Sequence, residues 1–168
     1  MAKRTFIKLT FLILLANNNY AIGQSNSLYI DSVNHYKIYV DSIIHSYYAN
    51  PAPSLSHSIT HYNCIGKNSG YGSGGSADLY RDPIKNSIYQ LSYIKSCGAV
   101  RAERVYYFIK NKIVLAIIND DQRKEFNERE KYFLNDKYLP VGHSDVKQKK
   151  LALKYLIEGY EVLKENLY

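Results

Sequence analysis

The chain has 168 residues, with 22 Lys and Arg against 15 Asp and Glu and a formal charge of +7. That length is one domain's worth and is enough to bury a hydrophobic core. The basic residues are mixed with acidic ones instead of lining one element, which sets nucleic-acid binding aside.

Residues 1–23 begin with Lys3, Arg4 and Lys8, continue with the apolar run from Leu9 to Ala16, and end in Ala21-Ile22-Gly23. A basic head, an apolar middle and a small-residue exit are the marks of a secretory signal peptide. The run is well short of the roughly 20 apolar residues that cross a bilayer, so no transmembrane segment is expected once the leader is cleaved. Cleavage would leave 19 basic and 15 acidic side chains, a charge of +4. The mature domain, 24–168, is then expected in the periplasm or outside the cell.

Over 28–49 the residues Tyr29, Val33, Tyr36, Val40, Ile43 and Tyr47 are spaced alternately by four and three, one face of an amphipathic helix. Asn50-Pro51 ends it, because proline disfavours the helical conformation in the residue before it. Residues 50–76 are rich in Ser, Asn, Gly and Pro, end in GKNSGYGSGGS, and are expected to be a loop region with a short ordered piece from Ile59 to Ile65.

Residues 77–141 are expected to be a β-meander. Strands at 77–81, 87–95, 99–109 and 112–120 are separated by turn residues, and Tyr89, Leu91 and Tyr93 alternate as on a half-buried strand. Within this stretch ERVYYFIKNKIVL at 103–115 recurs as EREKYFLNDKYLP at 128–140, with Glu103/Glu128, Arg104/Arg129, Tyr107/Tyr132, Phe108/Phe133 and Lys112/Lys137 in register. Lys110-Asn111 and Asn135-Asp136 occupy equivalent two-residue reversals, so each copy reads as a hairpin with its Tyr-Phe pair placing one ring on each sheet face. From 145 to 167 Leu153, Leu156, Tyr160, Leu163 and Leu167 predict a second amphipathic helix, capped by Ser144. The fold class is therefore α+β: an antiparallel meander of about six strands flanked by an N-terminal and a C-terminal helix.

The order of helix, Gly-rich segment, ERVYYFIKNKIVLAIIND, EREKYFLNDKYLPV and Leu-rich helix resembles a group of small exported proteins of Bacteroidota-type bacteria. In that group a Tyr-Tyr-Phe, turn, Lys, aliphatic unit recurs, with Asn-Gly or Asp-Gly in the turn. The similarity covers about residues 70–168, and this chain departs from it in carrying Asn111 and Asp136 where the group has the turn glycine. The resemblance implies the fold and the export; it brings no catalytic residue.

The candidate chemistry is sparse. His57, His61 and Cys64 are of metal-binding type, and two His four apart would face the same way on a helix. Cys64 and Cys97 form the even pair expected of one disulfide in an oxidising compartment, closing a loop worth roughly 3 to 4 kcal/mol by the chain-entropy estimate; two separate thiols are the other reading. His143-Ser144-Asp145 has triad residue types, but adjacency is not triad geometry and a helix start explains it. Glu103 and Glu128 each stand beside an Arg, which reads as a repeated salt bridge. GKNSGYGSGGS lacks the glycine spacing of a phosphate loop and reads as a connector. Tyrosine is the compositional oddity: 18 in the chain, with no tryptophan. Tyr89, Tyr93, Tyr107 and Tyr132 on an open sheet face would suit a protein, peptide or glycan partner. The function expected is a non-enzymatic binding domain without a cofactor; the alternative is a small periplasmic hydrolase or metal-binding protein using His57, His61 and Cys64.

Overall fold

The computed structural model describes the backbone of residues 2–50, 55–63, 74–97, 100–120, 130–135, 137, 139–142 and 145–167, and the side chains of these from residue 25 on, except 62, 63, 97 and 100. Helix α1 (Ala2–Ala49) is followed by strands β1 (Ser56–Asn63), β2 (Gly74–Asp82), β3 (Ser87–Cys97), β4 (Val100–Ile109), β5 (Lys112–Asn119), β6 (Glu130–Leu134) and β7 (Pro140–Val141), then helix α2 (Val146–Asn166). The strands form one antiparallel sheet in sequential order, β1 to β7. Each strand pairs with its chain neighbour, as consecutive elements usually do. Among the described residues no helix is long and apolar enough to cross a membrane.

The helices lie on opposite faces of the sheet. On one face α2 packs Ala152, Tyr155, Leu156, Val162 and Leu163 against Leu79, Leu91, Tyr106, Phe108, Ile113, Tyr132 and Leu134. On the other, Val33 and Val40 of α1 pack against Tyr107, Leu115, Ile117, Phe133 and Val141. This explains β5, where every residue from Ile113 to Asn119 is buried. A strand covered on both faces loses the polar-apolar alternation and reads as a continuous apolar run.

The hairpin at Lys110-Asn111 is as predicted: both residues have positive φ, 51° and 61°, and Ile109 pairs with Lys112 across them. Asn111 also clips the neighbouring turn, its Oδ1 accepting from the Ile88 amide at 2.8 Å. The second copy departs. β6 and β7 pair Leu134 with Pro140, so five residues bridge them instead of two. Asn135 organises that bridge, its side chain accepting from the amides of Lys137 and Leu139, both at 3.0 Å. A side-chain acceptor here does the work that a tight backbone reversal does in the first copy. The Tyr-Phe pairs do place one ring on each face, in opposite senses: Tyr107 and Phe133 face α1, Phe108 and Tyr132 face α2.

Three further expectations are corrected. The sheet has seven strands, because β1 lies inside the predicted loop of 50–76. Its sequence, SHSITHYN, has little apolar content, so the hydrophobic alternation that marks a strand is absent. The buried face of α2 is centred on Gly159, leaving Leu153 and Leu167 exposed at 52% and 45%. The reason is close approach: a Cβ at Gly159 would stand 2.8 Å from Tyr106 and 2.9 Å from Ile113. Finally, Asp145 caps α2, accepting from the Lys147 amide at 3.2 Å; Ser144 lies outside the described residues.

Candidate functional site

Among the described residues, the polar anchors of α1 gather toward one end of the sheet. Its anchors are Tyr29, which donates to the Leu134 carbonyl, Tyr36, which donates to the Phe108 carbonyl, Asp41, which accepts from Tyr107 at 2.7 Å and Gln90 at 3.3 Å, and Tyr48, which meets Tyr80 hydroxyl to hydroxyl. All of them fall on or beyond the row His57, Tyr80, Gln90, Tyr107, Leu115, Phe133 that the strand registers define. Two rows further along the strands remain on the same face. One runs Ile59, Asp78, Ser92, Val105, Ile117 and the next His61, Ser76, Ile94, Glu103, Asn119.

These two rows form a shelf that is closed at one side and open at the other. Ile117 and Asn119 are buried at 3% and 8%, whereas Ile59 and Ile94 are exposed at 52% and 36% and His61 is exposed. Ser76, Asp78, Ser92, Glu103 and Val105 are half-buried between them. Glu103 is held by Arg101 at 2.9 Å and accepts from Asn119 Nδ2 at 3.2 Å. The shelf is thus a flat strip of small hydroxyls, two acidic groups and β-branched side chains, with an exposed isoleucine on each of two strands.

Where the shelf meets α1, His57 forms a cluster with four neighbours. Its Nε2 lies 2.9 Å from Asp78 Oδ1, and its ring stacks on Tyr80 with centroids 4.4 Å apart and planes within 2°. Tyr47 and Tyr48 from the last turn of α1 meet the same ring edge-on at 6.2 and 6.0 Å. Burial, then the Tyr48 hydroxyl, raises the Tyr80 phenol well above its usual range, so it stays neutral. Chemically the cluster is a histidine oriented by a carboxylate and walled by phenols. Its geometry joins the end of α1 to the β1–β2 hairpin.

The sequence-predicted residues fare differently. Tyr93, Tyr107 and Tyr132 are buried, at 8%, 3% and 1%, and Tyr89 is half-buried with its hydroxyl 3.3 Å from Asp82. They belong to the two cores and form no open tyrosine face, because helices cover both sides of the sheet where they stand. His57 and His61 lie on a strand, where four residues span about 13 Å, so the helical spacing that would let them share a metal is lost. Among the described residues no three His, Cys, Asp or Glu gather as metal ligands. Cys64, His143, Ser144 and Glu128, and the Cys97 side chain, lie outside the described residues, and with them the Cys64–Cys97 pairing. Glu103 pairs with Arg101, not with adjacent Arg104. Successive strand residues face opposite ways, and Arg104 points toward α2, where Asp120 and Glu158 bind it.

Asp78 and Tyr48 were not singled out by sequence. The alternation Asp78-x-Tyr80 in ADLYR puts both on one face, but their meeting with His57 needs β1 to be recognised as a strand. No family model matches the chain, and neither does any curated protein or solved structure.

Proposed function

We propose that this is an exported, non-enzymatic binding domain whose contact surface is the open shelf beside α1. The observation that carries this reading is the exposure of Ile59 and Ile94 on the same sheet face, next to half-buried Asp78, Ser92 and Val105. Two exposed isoleucines set among hydroxyls and acidic groups on a rigid sheet offer apolar anchors with polar neighbours, as a recognition patch does. No tyrosine ring lies in its two rows, which favours an extended protein or peptide segment over a glycan, since sugar faces seek aromatic rings to stack on. Export is supported by the leader-like residues 1–23. The α1 anchors Tyr29, Tyr36, Asp41 and Tyr48 all lie beyond the cleavage point, so its removal keeps them.

Two measurements test this. N-terminal sequencing of the protein recovered from a bacterial periplasm should begin at Gln24; a retained Met1 in that fraction would refute processing. Peptide and glycan arrays probed with the isolated chain should give a peptide set whose binding is lost in the double variant Ile59→Glu/Ile94→Glu and kept in Leu153→Glu on α2. Equal binding by all three proteins, or binding confined to glycans, would defeat the shelf.

A further inference from the structure

The two edges of the sheet are built differently. β7 is two residues long and contains Pro140, which has no backbone N–H, so that edge has little to offer a further strand. β1 is eight residues long, contains no proline and no Lys, Arg, Asp or Glu, and among the described residues pairs only with β2. The register irregularities fall deeper in the sheet, at β2–β3 and β4–β5, and β1 pairs with β2 in unbroken register along its whole length. Short strands, edge charges, prolines and bulges are the devices that keep edges from pairing, and β1 has none of them.

The side chains of β1 say what would fit. His57, Ile59 and His61 face the α1 side, and Ser56, Ser58 and Thr60 face the other. About Ile59 the strand is symmetric in chemical type: a hydroxyl on either side at 58 and 60, an imidazole at 57 and 61. A second antiparallel copy centred on Ile59 therefore sets isoleucine against isoleucine, Ser58 against Thr60 and His57 against His61. β-branched pairs and Ser-Thr pairs are favourable across strands, and no formal charge meets its like. Ile59, exposed at 52% in the single chain, gains a cover.

We propose that the chain forms a two-fold dimer by antiparallel pairing of β1 with β1 of a second copy, Ile59 lying at the axis. Such a contact uses the same patch on both partners and closes on itself. The axis stands perpendicular to the sheet, so both α1 helices lie on the same side, and the His61 end of each shelf faces the His57 end of the other copy beneath its α1. The dimer does not depend on the shelf binding anything. One strand pair is a small interface, so the association is expected to be weak and concentration-dependent.

Sedimentation velocity on the isolated chain over a concentration series should show a monomer–dimer equilibrium. Ile59→Lys, which sets two like charges together at the axis, should weaken it about tenfold or more, while Leu153→Lys on α2 leaves it unchanged. Hydrogen exchange on the unaltered chain gives a readout independent of any variant: outer amides of β1 should gain protection as concentration rises, and amides of β4 should not. A chain monomeric at every concentration overturns the dimer, as does one whose β1 exchange ignores concentration or whose dimer survives Ile59→Lys.

Discussion

Tyrosine earns its abundance here through its hydroxyl as much as its ring. The bulge at Tyr107/Phe108 interrupts the β4–β5 ladder, and a phenol arrives from each side. Tyr36 of α1 donates to the Phe108 carbonyl, and Tyr160 of α2 accepts from the Ile113 amide at 3.1 Å. Tryptophan has a donor only, whereas a phenol can serve an amide or a carbonyl. Tyr36→Phe leaves the ring in place and removes the bond, and should cost about 1–3 kcal/mol in urea denaturation; a loss indistinguishable from zero would show that the carbonyl needs no partner. At the turn below, Lys110 carries a left-handed backbone with a side chain that disfavours it. Lys110→Gly should raise stability by up to about 1 kcal/mol. Asn111→Gly should gain nothing comparable, because it gives up the bond to Ile88.

At the scale of elements, α2 is positioned by its one glycine. Gly159→Ala would normally help a helix by about 1 kcal/mol. Here the new methyl meets Tyr106 and Ile113 at under 3 Å, so overpacking of about 1–3 kcal/mol should outweigh that gain, for a net loss of up to about 2 kcal/mol, seen as a lower midpoint on thermal unfolding. The same contact explains why the leucine stripe was legible and its buried centre was not. Heptad-like spacing marks a helix, but which way that helix turns is decided by where the backbone can approach closest. Likewise β1 was unreadable as a strand because an edge strand of serines and histidines has little apolar pattern to show, and with it went the His57–Asp78 pair.

For the whole molecule, the buried phenols set the alkaline limit. Burial pushes Tyr36 and Tyr155 up to about 12, and Tyr80, Tyr106, Tyr107 and Tyr132 higher still. A phenol whose folded value lies above its unfolded value of 10.0 contributes stability that is fully present below pH 10 and is lost as pH rises through the folded value. Tyrosinate absorbance and far-UV dichroism followed together should therefore show these six ionising only as the fold is lost, in one transition between about pH 10 and 12. Ionisation of all tyrosines in one early step with the dichroism intact would contradict the two-sided burial.

By itself the sequence determined the class of the fold: two helices by their spacing, a meander by its turns, and the first hairpin at Lys110-Asn111, because these are local preferences written over a few residues. It also named tyrosine as the residue to explain. Only the tertiary structure decided what those tyrosines do, which part of the sheet the described residues of α1 leave uncovered and how far apart His57 and His61 stand. Those depend on where α1 crosses and how strands register, and such placements come from packing between segments far apart in the chain.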